Sequence, residues 1–181
     1  MTESERKLII DTIVALNTGF TWQNKERTEA IKQEFLSFFT VDVSKEPNYV
    51  LKLLEKAYEE QNPEDVEHSL SIAFLFDLFS EEYTLVLIKL LESDWHFRHE
   101  DIVSAFQKLR LPETVNILYT TAQKQFKYLE YDDYYALAVK CIWALRKIGT
   151  AEAKEKLEIL AQSSNKVIRE KALKRLKDTW E

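Results

Sequence analysis

The stretch Leu137–Leu160 constrains the fold most strongly, because it has the pattern of two amphipathic helices joined by a tight turn. The first helix carries apolar residues at helical spacing, namely Leu137, Cys141, Leu145 and Ile148. Gly149 follows where a helix end favours a left-handed residue, and Thr150 suits the cap of the second helix. A single hairpin cannot bury its apolar face alone. We therefore predict an all-α chain of several hairpins packed side by side as a short α-solenoid.

Glycine and proline are scarce, with 2 and 3 residues respectively in 181. This scarcity disfavours β-turn-rich folds and glycine-built phosphate loops, and it suits helices joined by short polar turns. The single cysteine excludes an internal disulfide and indicates a reducing compartment. The N-terminus lacks the apolar core of a signal peptide, and the most apolar run, Leu70–Phe79, is half the length of a membrane span. We expect a soluble, cytoplasmic protein with no membrane partner.

The net charge of −6 is unevenly distributed along the chain. Residues 1–95 hold 9 Lys and Arg against 19 Asp and Glu, whereas residues 96–181 hold 16 against 12. An acidic chain disfavours nucleic acid as a partner, because phosphate binding needs a basic face. It favours a protein partner with a basic surface, although acidity also serves solubility alone.

Capping residues and apolar spacing predict about ten helices and no strand. Asn62-Pro63 is a signal for the start of a helix. Asp94 is a candidate cap for the helix that runs through Arg110, and Pro112 begins the next helix. The predicted helices cover 4–17, 24–39, a segment after Ser44, 63–79, 81–92, 94–110, 112–126, and three more that begin at Asp132 or Asp133, at Thr150, and at Ser164 or Asn165. The first is predicted to end at Thr18-Gly19. We predict one domain over 1–181, with degenerate helices in 1–62 and repeat units in 63–181.

Three helices repeat a small residue followed four positions later by leucine: Ala105 and Leu109, Cys141 and Leu145, Ala172 and Leu176. The repeats are 36 and 31 residues apart. Two segments, Ile168-Arg169-x-x-Ala172 and Ala144-Leu145-x-x-Ile148-Gly149, resemble HEAT repeats, and the resemblance covers about residues 97–178. Leu137-Ala138 departs from it, standing where the family has Val-Arg.

The HEAT resemblance implies an α-α superhelix of antiparallel helix pairs with a curved surface. It also implies protein binding more often than catalysis. Small acidic bacterial proteins of this kind include immunity proteins, which bind and neutralise a toxin. An adaptor or regulatory subunit of another enzyme would bind its partner by the same physical interactions. A HEAT-like DNA glycosylase is the alternative from another class, and the acidic charge disfavours it.

The segment Trp95-His96-Phe97-Arg98-His99 holds two of the three histidines. Two histidines three apart on a helix are candidate metal ligands. No other Cys or His cluster completes a metal site, so we predict a packed junction in which Trp95 faces the core, with no metal and no cofactor. Cys141 lies on an inward stripe, which indicates a buried apolar role rather than a nucleophile. No catalytic residues are predicted, and we expect the protein not to be an enzyme.

The least ordinary segment is the tyrosine-rich and acidic connection before the Cys141 helix. Tyrosines beside carboxylates commonly receive Arg or Lys from a partner. The predicted partner-binding residues are Tyr128, Glu130, Tyr131, Asp132, Asp133 and Tyr134. In the alternative interpretation, the tyrosines pack the junction and the acids cap the next helix.

A second charged segment, the C-terminal helix, is basic. Its cations are Lys166, Arg169, Lys171, Lys174, Arg175 and Lys177. A basic helix can bind phosphates or anionic lipid, but it also suits the solvated face of a terminal repeat.

Overall fold

A computed structural model describes residues 1–18 and 24–178, and within these ranges it contains ten α-helices and no strand. The all-α class and the helix number are therefore confirmed, whereas the superhelical arrangement stays a prediction. The helices are α1 (Glu3–Asn17), α2 (Lys25–Phe38), α3 (Asn48–Glu59), α4 (Pro63–Phe76), α5 (Thr84–Glu92), α6 (His99–Leu109), α7 (Val115–Thr121), α8 (Ala136–Ile148), α9 (Ala151–Leu160) and α10 (Lys166–Leu176). The predicted stop at Gly19 lies outside the described residues.

Several helices begin where the sequence supplies a side-chain cap. The Asn62 side chain accepts from the first turn of α4, with Pro63 at the first helical position. Thr150 accepts from the backbone N–H of Ala153 in α9, and Asn165 accepts from the first turn of α10. These predicted caps are confirmed.

Left-handed residues follow the ends of α4, α6 and α8. Asp77 adopts φ 56° after α4, so that helix stops at Phe76 rather than Phe79. Arg110 adopts φ 54° after α6, and Gly149 adopts φ 76° after α8 as predicted. The predicted helix over 112–126 is a 3₁₀ turn followed by α7, which ends at Thr121. Asp94 does not cap α6, because that helix begins five residues later, at His99.

Contacts within Met1–Phe79 define a first compact unit formed by α1–α4. In this unit α3 packs against α4, and α1 contacts both α2 and α4. Arg6 holds Asp65 through two hydrogen bonds, of 2.7 Å from Nε and 3.0 Å from Nη2. Burial acts to raise the pKa of Asp65, but the pairing with Arg6 and other cationic contacts outweighs it and leaves that pKa lowered. Helix α4 thus packs with the N-terminal helices, and the predicted single domain stays untested.

Contacts within residues 80–181 define a second compact unit, which contains α5–α10. Helix α8 contacts α6, α7, α9 and α10, and its Leu137, Cys141 and Leu145 are buried as the sequence predicts. Helices α6, α8 and α10 pack on one another in order, and so do α5, α7 and α9. This unit therefore has two layers of helices, which is the packing that stacked hairpins produce.

Candidate functional site

His96, in the connection between α5 and α6, and His99, the first residue of α6, are called here the histidine pair, and both side chains are fully buried. The Nε2 of His96 lies 2.7 Å from the carbonyl oxygen of Leu90, so Nε2–H is the donor and Nδ1 accepts the backbone N–H of Arg98. The Nε2 of His99 likewise donates to the carbonyl of Ser93, at 2.7 Å. The two rings stack with centroids 4.3 Å apart. The predicted packed junction is present.

These hydrogen bonds use all four ring nitrogens of the histidine pair. The Nδ1 of His99 accepts the Tyr128 hydroxyl at 2.9 Å, which completes the set. Burial lowers the pKa of both rings, that of His99 to about 4, so both are neutral at pH 7. A metal ion would have to displace a backbone or tyrosine partner to reach either ring. Across residues 1–18 and 24–178, no group of three His, Cys, Asp or Glu residues is arranged to hold a metal ion.

Tyr128 begins the acidic aromatic loop, defined here as residues 128–134. Its hydroxyl bonds to His99, and its ring packs against two phenylalanines. The centroid of the Tyr128 ring lies 5.3 Å from that of Phe97, edge to face, and 6.0 Å from that of Phe126. Burial, and then the nearby Glu100 carboxylate, raise the pKa of Tyr128 to about 12. The hydroxyl therefore stays protonated and donates to His99. Tyr128, one of the six predicted partner-binding residues, therefore holds the start of the loop in place.

Asp132 fixes the end of the acidic aromatic loop. Its carboxylate accepts the backbone N–H of Tyr134 at 3.0 Å and that of Ala136, the first residue of α8, at 2.6 Å. A carboxylate at a helix N-terminus also interacts favourably with the helix dipole. Asp132 thus accepts from the first residue of α8, but the predicted helix start at Asp132 or Asp133 is wrong, because α8 begins at Ala136 and Tyr135 holds the N-cap position.

The other four predicted residues project from the loop. Tyr131 is 91% exposed and Tyr134 is 84% exposed, and Glu130 and Asp133 are exposed carboxylates. Tyrosine side chains are rarely so open, since they normally bury most of their ring. The structure therefore divides the six predicted residues into two that hold the loop and four that face solvent.

A groove of about 320 Å³ opens beside the loop, and the sequence did not indicate it. Leu129 and Asp132 line it from the loop, Ala138 lines it from α8, and Ile168 lines it from α10. Ser163 and neighbouring polar residues of the α9–α10 turn complete its rim. No sequence signal could reveal this groove, because it exists only where that turn lies beside a loop some thirty residues earlier.

Cys141 and Arg169, two other residues that the sequence analysis considered for function, are engaged within the protein. Cys141 is fully buried, and burial raises the pKa of its thiol, which leaves it protonated and unreactive. On the basic C-terminal helix, Arg169 donates to the carbonyl oxygens of Ser163 and Ser164 at 2.6 and 3.2 Å. The lysines of the basic helix are exposed.

Comparison with known proteins adds no relative. No family model, no curated protein and no solved structure matches this chain. Within the described ranges, no helix is both long enough and apolar enough to cross a membrane.

Proposed function

We propose that this protein is a non-catalytic, HEAT-like helical-repeat protein that binds a protein partner through its acidic aromatic loop. The observation that carries the proposal is the pair Tyr131 and Tyr134, both more than four-fifths exposed, between the exposed carboxylates Glu130 and Asp133. This combination matches an arginine or lysine side chain, which a tyrosine face attracts and a carboxylate neutralises.

The fixed ends of the loop favour binding. Tyr128 and Asp132 are held by His99 and by the start of α8. A loop ordered before binding loses less conformational entropy when a partner arrives. Tyrosine adds large contact area with only two side-chain torsions to restrict, which is why it is common in binding loops.

The HEAT-like assignment is supported by the packing of the second unit. Helices α6, α8 and α10 form one layer and α5, α7 and α9 form the other. The left-handed Gly149 and the cap Thr150 join α8 to α9 at the turn where the sequence resembles a HEAT repeat. The class of partner that this resemblance implies is a toxin neutralised by binding, as in bacterial immunity proteins, and an adaptor role would use the same surface.

The charge of the chain agrees with a basic partner. At a net charge of −6, long-range attraction would speed encounter with a cationic protein, and this effect weakens as salt rises. We therefore expect partner association to slow several-fold between about 50 and 300 mM salt.

The test compares two variants of equal charge change as baits for partners in a lysate of the source cells. Glu130→Lys with Asp133→Lys reverses the loop charge and leaves Asp132 intact. Glu155→Lys with Glu158→Lys reverses two exposed carboxylates on α9 and is the matched control. We expect the loop variant to lose about tenfold or more of its partner affinity while the control binds normally. Retention of every partner by the loop variant would refute the proposal.

A further bait, the double variant Tyr131→Ala with Tyr134→Ala, separates ring contact from charge. It leaves all carboxylates in place, so a purely electrostatic contact would survive this change. We expect it to weaken the same partner by about tenfold, since exposed aromatic residues contribute most at interface centres. Binding of the purified partner would be measured by isothermal titration calorimetry.

A further inference from the structure

A second concave surface lies where α6 and α8 end and the chain leaves α10. This groove has a volume of about 610 Å³ and is called here the cationic groove. It is lined by Arg110, Trp143, Arg146, Lys147, Ile148, Gly149 and Asp178. Among these residues three are cations, one is a carboxylate and one is a large aromatic.

Local backbone structure brings these residues together. Arg110 is the left-handed residue that ends α6, and Gly149 is the left-handed residue that ends α8. Arg146 and Lys147 occupy the last turn of α8. Because α6 and α8 are neighbours in one layer, their C-terminal ends bring these cations into one depression.

A carboxylate already occupies the cationic groove. Asp178 lies 3.0 Å from Nη1 of Arg175 and 4.0 Å from Nε of Arg146. The Arg175 guanidinium in turn lies over the Trp143 ring, 4.0 Å from its centroid. The Asp178 side chain is 40% exposed, so solvent weakens both of its ion pairs.

Helix dipoles account for part of this arrangement but not for all of it. Cations in the last turn of a helix complement its C-terminus, which explains Arg146 and Lys147. That effect requires neither a depression nor Trp143, whose ring remains 40% exposed beside the groove. The groove thus combines three cations with an aromatic ring that carries Arg175 on its face, a chemistry that suits carboxylates.

We propose that the cationic groove binds an acidic peptide segment of a protein, with ligand carboxylates on Arg110 and Lys147. Asp178 pairs instead with Arg175 and Arg146, and its negative charge within the groove opposes binding of the ligand. The site lies apart from the acidic aromatic loop in its residues, and it has the opposite charge. Nucleic acid is the less suitable polyanion, because its extended phosphate backbone needs a long basic surface and this groove offers three cations.

The test uses a fluorescein-labelled hexaglutamate peptide and measures fluorescence anisotropy at low salt. We expect saturable binding by the wild-type protein, weakened at least tenfold by Arg110→Glu with Lys147→Glu. The matched control is Lys171→Glu with Lys174→Glu, which reverses two exposed cations of α10 outside the groove and should bind within about twofold of wild type. Asp178→Asn removes a carboxylate that repels the ligand and should strengthen binding about threefold.

Three outcomes would overturn the proposal. The first is no saturable binding of hexaglutamate by the wild-type protein, and the second is an equal loss in the groove and control variants. The third is tighter binding of a labelled oligothymidylate than of hexaglutamate, lost in the groove variant, which would assign the site to nucleic acid. Circular dichroism spectra and unfolding midpoints of all variants show whether each still folds. The loop variant Glu130→Lys with Asp133→Lys should bind hexaglutamate at least as well as wild type, so this result is independent of the loop proposal.

Discussion

Two connections in the second unit look alike in sequence and differ in structure. Residues 93–98 join α5 to α6, and residues 122–135 join α7 to α8, and both are rich in aromatic and titratable side chains. In the first, the polar atoms of His96 bond to the protein's own backbone. In the second, Tyr131 and Tyr134 project into solvent. Unusual composition therefore identifies a segment worth studying. Only the contacts of its side chains show whether they are packed inside the protein or exposed on its surface.

The largest expected effect tests whether the histidine pair is structural. His99→Ala removes a buried ring and leaves the Ser93 carbonyl and the Tyr128 hydroxyl without their partner. We expect a loss of about 3–4 kcal/mol in the free energy of unfolding, measured by urea denaturation. A loss below about 1 kcal/mol would remove the contrast between the two connections.

Acid should destabilise the protein through the same ring. The pKa of His99 is about 4 in the folded protein because of burial, against 6.5 for an ordinary histidine. The folded state therefore binds fewer protons than the unfolded state between these values, and stability falls as pH falls through this window. The full difference corresponds to about 3 kcal/mol, reached below about pH 4.

The pH measurement needs a control because other groups titrate nearby. The titratable groups near His99 are Tyr128, His96, Lys124 and Asp94, and the pKa of His96 is lowered by burial as well. Urea midpoints from pH 7 to 5 should fall more steeply for the wild type than for His99→Ala. Parallel slopes would show that His99 does not carry the effect.

A smaller effect distinguishes two adjacent carboxylates of the acidic aromatic loop. Asp132→Ala removes an acceptor for two backbone N–H groups at the start of α8, so we expect a loss of about 1 kcal/mol. Asp133→Ala, its exposed neighbour, should change the free energy of unfolding by less than about 0.5 kcal/mol. Thermal unfolding of the two variants provides the comparison, and equal midpoints would contradict the division of the loop into holding and projecting residues.

The smallest effect concerns the projecting tyrosines. Tyr131→Ala and Tyr134→Ala should each alter the free energy of unfolding by less than about 0.5 kcal/mol, because both rings lie almost entirely in water. The measurement is urea denaturation beside the wild type. A cost above about 1 kcal/mol would mean that the rings pack against the protein, as the residues of the histidine pair do.

The sequence was most informative where a local rule applies. Helix starts at Asn62, Thr150 and Asn165 follow from side chains that accept hydrogen bonds from the first turn. The sequence was least informative at the ends of α4 and α7: Asp77 adopts a left-handed conformation usually taken by glycine, and α7 ends at Thr121 rather than at 126. For the candidate site, the sequence identified the loop as a whole, but it did not show which residues hold the loop and which face solvent.

The sequence by itself determined that this chain is helical and that α8 and α9 form a hairpin, since apolar spacing, caps and a glycine act within a few residues. Only the tertiary structure decided that His99 meets Tyr128, and that Arg110 and Asp178 line one groove. Those pairs are 29 and 68 residues apart in the chain. Their meeting depends on how whole helices pack, because a contact across such a separation has no local signal in the order of the residues.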